Sequence, residues 1–289
     1  MIGFLALAAM LGDTPAANRP CANSYEPVMK PSSEERRIPL YASSGSPLVL
    51  VSVGQSPQLP FVFDTGSSGN LVSLRVAEML DLPENGPSPS VDGNGNPVPG
   101  FDTCLANMRI DGVAVPDRRA TAFQFDQVGA EGIISPRHFS GQVIEFDGPN
   151  LSLAILDRDF DRSGLGSPRA WQGGIGDAHP VVDISLGGVD VEARLDSGSD
   201  ATLILPMAWI EKLDLAEEPF VAGAMQTASV TVEIYGAHLA GTMRIGATAI
   251  ERPFLLFAET RVPLLGWPLI KRMKFYMDPD ARLTWVPEE

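Results

Sequence analysis

The sequence predicts an all-β protein built from two tandem lobes, and three observations carry that expectation. First, 28 glycines and 25 prolines stand among 289 residues, a share that suits short strands joined by turns. Second, one unit occurs twice along the chain. Third, the stretch between the two copies lacks periodicity. Apolar residues make up 44% and charged residues 20%, which fits a packed core and argues against disorder. The length admits one large domain or two of middle size.

Charge and ligand counts exclude several classes. Acidic residues exceed basic ones by 36 to 21, a net charge of −15. A nucleic-acid binder carries a basic surface, so no nucleic-acid partner is expected. Three histidines and two cysteines are too few for a Cys- and His-based zinc site, and no His sits in a triad-like pattern. Asp157-Arg-Asp159-Phe-Asp161 resembles a calcium loop only briefly. Arg162 stands where the loop needs Gly, and Pro168 where it needs Glu. No metal and no cofactor is expected.

The chain opens with the apolar run Ile2 to Leu11, followed by a breaker-rich stretch. This reads as the core of a secretory signal, too short to span a bilayer. It gives residues 1–22 as a signal peptide and an exported protein, periplasmic or extracellular, with no stable membrane span. No Lys or Arg precedes the run, and a buried N-terminal strand or helix is the competing reading. In an exported chain Cys21 and Cys104 are candidates for a disulfide; two unpaired thiols remain the alternative.

The repeat sets the domain organisation. Leu59 to Phe63 leads into Asp64-Thr65-Gly66-Ser67, and Val191 to Leu195 leads into Asp196-Ser197-Gly198-Ser199. Each motif is followed by a second apolar strand. Counting from the two aspartates, Leu80-Asp81-Leu82 begins at offset 16 and Leu213-Asp214-Leu215 at 17. Each ends a helix-like stretch, LRVAEML or MAWIEKL. Met108-Arg109-Ile110 begins at 44 and Met243-Arg244-Ile245 at 47. Ser135 closes an Ile-Ile-Ser segment at 71, and Gly266 a Leu-Leu-Gly segment at 70. Asp147 and Asp278 follow at 83 and 82. Residues 157–180, rich in Gly, Asp and Arg, read as a linker. The lobes are then 23–156 and 181–289.

On these residues the chain resembles the aspartic proteases. The short lobes are more similar to retropepsin-like units than to full pepsin lobes, and two in one chain resemble the single-chain aspartyl proteases of bacteria. The resemblance runs from about residue 45 to 286. It implies a closed, barrel-like β fold in each lobe, with the Asp-Thr/Ser-Gly turns meeting at a pseudo-twofold axis in a central cleft. It also implies hairpin flaps, placed by position at about 88–101 and 221–229. Ser135 departs from the family's Gly and puts the geometry of Asp64 in question. Asp200 adds a carboxylate, expected to point to solvent.

The residue types suit peptide hydrolysis. Two facing carboxylates activate a water and polarise a carbonyl, because like charges in contact hold one proton between them. Asp64 and Asp196 are the expected pair. Gly66 and Gly198 permit tight turns with N–H groups aimed at the carboxylates. Thr65 and Ser197 are expected to hydrogen-bond across the turns. Ser67 and Ser199 are expected to donate to the outer carboxylate oxygens, which lowers the first pKa of the pair and gives an acidic optimum. The tryptophans read as core or cleft-wall residues, with Trp267 the one that could line the cleft; the histidines read as surface or packing residues. The expected protein is a monomeric endopeptidase that takes an extended polypeptide with apolar side chains in its subsites. The alternatives are an inactive acid-protease fold that binds peptides or serves as a scaffold, and a zymogen in which residues 23–40 cover the dyad.

Overall fold

Along Pro47–Val53 every second residue is buried, from Pro47 to Val53. That period-two pattern makes one face of the strand core. The same logic, repeated through both halves, gives three β-sheets. The computed structural model describes residues 2–3, 21, 36–42, 45–88, 90–91, 97–124, 129–173, 178–226 and 231–287. Most of the apolar run 2–11, residues 23–35 and the first flap tip 92–96 lie outside these.

The first lobe folds on a nine-stranded sheet. Eight strands run in the order Gly100–Leu105, Arg118–Phe123, Asn70–Ser73, Gly132–Ile134, Leu59–Phe63, Pro47–Val53, Met108–Ile110 and Val113–Ala114, and Tyr41–Ala42 pairs with Pro47–Val53. The ten-stranded sheet of the second lobe repeats that order. Its strands are Thr231–His238, Phe254–Ala258, Leu203–Pro206, Leu264–Gly266, Val189–Asp196, Val181–Leu186, Thr242–Ile245 and Thr248–Glu251, with Phe220–Gln226 and then Ile2–Gly3 added beyond Thr231–His238. The protein is therefore an all-β, two-lobed retropepsin-like fold. In each lobe the strand that ends at the aspartate runs parallel to the later apolar strand. Phe63 pairs with Ile134, and Leu195 with Leu265.

A six-stranded sheet joins the lobes. Val143–Asp147 from the first half pairs antiparallel with Lys274–Asp278 from the second. Phe146 stacks on Phe275 with centroids 4.7 Å apart, and Trp267 meets Phe146 edge-on. These rings make one core continuous between the lobes. Trp267, at 4% exposure, belongs to that core, the first of the two places the sequence allowed the tryptophans.

Other expectations change here. LRVAEM forms a true α-helix, Leu74–Met79, because the Ser73 side chain accepts the Val76 N–H. MAWIEK has Pro206 at the capping position, with no side-chain acceptor, and tightens to a 3₁₀-helix over Met207–Lys212. Arg36–Pro39 does not cover the dyad. It is the edge strand of the shared sheet, paired with Ser152–Leu156, and Arg37 reaches Glu145 at 3.0 Å. The 157–180 stretch is anchored as well: Arg169–Ala170 pairs with Leu283–Trp285, and Trp171 Nε1 donates to Thr284 Oγ1 at 2.9 Å. Cys21 is disulfide-bonded to Cys104 on the strand Gly100–Leu105. Among the described residues no helix is long and apolar enough to cross a membrane.

Candidate active site

Asp64 follows Leu59–Phe63 and Asp196 ends Val189–Asp196, so two equivalent strands deliver the carboxylates to the same level of the molecule. Both side chains are buried, at 0% and 2% exposure. Their proximity is recorded by the turn glycines. A Cβ at Gly66 would stand 2.6 Å from Asp196 Cγ, and one at Gly198 would stand 2.7 Å from Asp64 Cγ. Each glycine thus makes room for the other lobe's carboxylate. Neither has a positive φ. Beyond the tight turn, close approach of the opposite carboxylate requires glycine at both positions.

The turns are laced to each other by hydrogen bonds. Thr65 N–H donates to Ser197 Oγ at 3.0 Å, and Ser197 N–H donates to Thr65 Oγ1 at 2.9 Å. The Ser197 hydroxyl passes its own proton to Phe63 O at 2.6 Å. Gly66 N–H and Gly198 N–H both reach Asp64 Oδ1, at 2.7 and 3.3 Å. The serines that follow the glycines behave otherwise than expected. The Ser67 hydroxyl donates to Gly69 O at 2.7 Å, a local turn bond that uses its single proton. Ser199 Oγ accepts from Ala201 N–H at 3.3 Å, while the Ser199 backbone N–H supports the Asp196 carboxylate. Asp64 Oδ2 and Asp196 Oδ1 have no hydrogen-bond partner among the described residues.

Electrostatics follow from that burial. Desolvation, then the charge of Asp196, hold Asp64 well above the usual carboxylate range, against the pull of the two glycine N–H groups. Burial pushes Asp196 up to about 6. The Arg194 guanidinium, the neighbouring Asp64 side chain and the N–H groups of Gly198 and Ser199 keep it from going higher. The pair therefore holds one proton around neutral pH, and that proton belongs to the pair as a whole. The Ser67 hydroxyl is spent on Gly69 O, so it does not supply the lowering of the first pKa expected of it.

Three residues of the site escaped the sequence reading. Arg194 lies two positions before Asp196, on the same strand face by the period of two, where the first lobe has Val62. Ser46 is buried and donates to Gly198 O at 3.1 Å, so the first lobe braces the second lobe's turn. Asn70 Oδ1 accepts the Ser135 N–H at 3.1 Å. Only the Arg194 pattern carried a sequence signal. Asp200 is half-buried, with Oδ1 enclosed and its pKa raised by desolvation; it does not point freely to solvent. His138 is buried, and burial and the Arg118 charge lower its pKa to about 3, so it packs as a neutral ring. Among the described residues no group of three or more His, Cys, Asp or Glu side chains could hold a metal ion.

Flap-like hairpins stand in both lobes. In the first, Asn85 N–H bonds Asp102 O, Ser88 N–H bonds Gly100 O and Val98 N–H bonds Ser90 O, at 2.8 to 3.0 Å. In the second, Phe220–Gln226 pairs with Thr231–His238, with a register shift between Val221 and Gly223.

Both lobes thus carry the same Asp-Thr/Ser-Gly turn at the same place in a two-lobed all-β fold. A family model described as Aspartyl protease matches residues 49–135, the part of the first lobe that holds Asp64. A solved structure of EIAV protease complexed with the inhibitor HBY-793 is similar at 18% identity, over 32% of this chain and 86% of that chain, with a TM-score of 0.29.

Proposed function

We propose that the chain is an aspartic endopeptidase that hydrolyses peptide bonds with a water held between Asp64 and Asp196. The observation that carries this is the reciprocal cradle, in which each carboxylate rests against the other lobe's turn glycine. The charged side of the pair takes a proton from the water as its oxygen attacks the scissile carbonyl. The protonated side gives its proton to the carbonyl oxygen. The new C–O bond makes a tetrahedral diol; its collapse breaks the C–N bond as the aspartic acid that took the water's proton gives it to the amine nitrogen and a diol hydroxyl returns a proton to the other carboxylate. Thr65 and Ser197 fix the distance between the two turns, which sets the distance between the carboxylates.

The substrate is an extended polypeptide that pairs with the flap hairpins, its apolar side chains in the subsites. One chain supplies both halves of the site, so a monomer suffices. The acidic surface favours neutral or basic substrates. We place the protein outside the cytoplasm, where a disulfide such as Cys21–Cys104 persists. Purified protein incubated with a denatured protein mixture between pH 3 and 8, with Asp64→Asn and Asp196→Asn beside it, tests the reading. Cleavage by the wild type alone supports it; equal cleavage by all three, or none by the wild type, contradicts it.

A further inference from the structure

We infer that Ser135 is a positioning residue for Asp64: its hydroxyl replaces a backbone N–H that Pro136 lacks and anchors the first aspartate turn as Trp267 N–H anchors the second. The inference rests on the reading of Asp64 and Asp196 as the working pair. Strand register makes the comparison unambiguous. Phe63 opposes Ile134 as Leu195 opposes Leu265, so Ser135 is the counterpart of Gly266 and Pro136 of Trp267. In the second lobe Trp267 N–H donates to Ser199 O at 2.8 Å. That carbonyl belongs to the residue just after Asp196-Ser197-Gly198, so the bond pins the turn to the segment behind it. The equivalent acceptor in the first lobe is Ser67 O. Pro136 has no N–H to give it. The Ser135 hydroxyl gives its proton instead, at 2.6 Å.

Two further exchanges accompany this one. Gly266 N–H donates to the Thr202 carbonyl at 3.0 Å, whereas Ser135 N–H donates to the side chain of Asn70, the counterpart of Thr202. A Cβ at Gly266 would stand 1.9 Å from Ala201 O. In the first lobe the corresponding carbonyl, Gly69 O, is engaged by the Ser67 hydroxyl, and Ser135 fits fully buried. The backbone at the two positions is similar, at φ −82°, ψ 152° for Ser135 and φ −99°, ψ −179° for Gly266. An N–H restored at position 136 would therefore point toward the same acceptor. Ser135 Oγ also accepts from Arg137 N–H at 3.3 Å and so caps the 3₁₀-helix Pro136–Phe139. Any test must separate that capping role from the positioning one.

The comparison of Ser135→Ala with Ser135→Ala/Pro136→Ala does so. Ala keeps the Cβ and removes the donor; Ala at 136 returns a backbone donor but no side-chain cap. We expect Ser135→Ala to lower kcat about ten-fold with KM nearly unchanged, since a small displacement of a catalytic group costs rate more than binding, and to shift the pH profile. The double variant is expected to recover most of the rate and the wild-type profile. Both variants lose stability alike through the missing cap. In parallel, NMR titration of the carboxyl carbons of Asp64 and Asp196 reads the geometry of the pair without need of turnover. A changed titration in Ser135→Ala that reverts in the double variant supports the inference even if the wild type cleaves nothing, which would sink the protease reading alone. A Ser135→Ala protein with wild-type rate, pH profile and carboxyl titration, altered only in stability, would overturn it.

Discussion

Gly66 and Gly198 have no room for a side chain because the opposite aspartate occupies it. A methyl group 2.7 Å from a carboxylate carbon must push the two turns apart. Gly198→Ala is therefore expected to lower kcat/KM by about 100-fold or more, as misplacement near the reacting groups does; steady-state kinetics on a protein still folded by circular dichroism would check it. Asp196 carries a second consequence. The folded pair retains a proton that the unfolded chain releases near 3.8, and gives it up at about 6. The stability this contributes is complete below about pH 4 and is lost as pH rises through about 6, on the order of 2–3 kcal/mol for a shift of roughly two units. Asp196→Asn should thus match the wild type at pH 4 and exceed it by that order at pH 7, measured from denaturant midpoints. Equal midpoints at pH 7 would show that burial does not raise the pair. Arg194 acts in the opposite sense. Its replacement by Gln should move the acid limb of the pH–rate profile upward, because the charge that opposes protonation is gone.

Among the elements, the shared sheet sets how the two lobes meet. Glu145 on Val143–Asp147 accepts from Tyr276 Oη at 2.7 Å and pairs with Arg37 at 3.0 Å and Lys274 at 3.1 Å. It ties the N-terminal edge strand and both lobes' terminal strands at one point. Burial would raise its pKa, but the Tyr276 and Lys274 hydrogen bonds and the Lys274 and Arg37 charges bring it below the usual value. Glu145→Gln keeps the shape and removes the charge, and should cost about 1–3 kcal/mol in thermal or chemical unfolding. The strands were the most legible elements in the sequence. Their alternation and the repeat of landmarks gave the order, and both aspartates were found by motif. The edge strand Arg36–Pro39 was not, since four residues with two arginines carry no period. The Ser67 bond was missed for a related reason: a hydroxyl three residues past an aspartate reaches either its carboxylate or the next turn carbonyl, and only coordinates choose. The failed cap at Pro206 is readable from sequence, because Pro offers no side-chain acceptor.

At the scale of the whole molecule the two halves are equal in topology and unequal in chemistry. Eight strands follow the same order in each lobe, yet Arg194 stands where the first lobe has Val62, Gly266 where it has Ser135, and Trp267 where it has Pro136. A symmetric pair would share its charge evenly. Here the Arg194 charge opposes protonation of Asp196, and among the described residues no basic side chain plays that part for Asp64. The Cys21–Cys104 bond closes a loop of 83 residues of sequence separation around the first lobe, and its reduction should lower stability by about 2–4 kcal/mol, read by unfolding with and without reductant. The internal repeat made the two-lobed plan legible. The asymmetry was legible only in part, as Ser135, because the partners of Ser135 and Arg194 are set by register between distant segments. Whether Asp64 and Asp196 work as one protonated pair is read from the pH dependence of kcat/KM on a cleavable peptide for the wild type, Asp64→Asn and Asp196→Asn. Activity is expected to rise through about pH 6 as the pair loses its first proton, to fall again at higher pH, and to vanish in both variants. Activity that survives in either variant, or that shows no acid limb near that pH, would contradict the pairing.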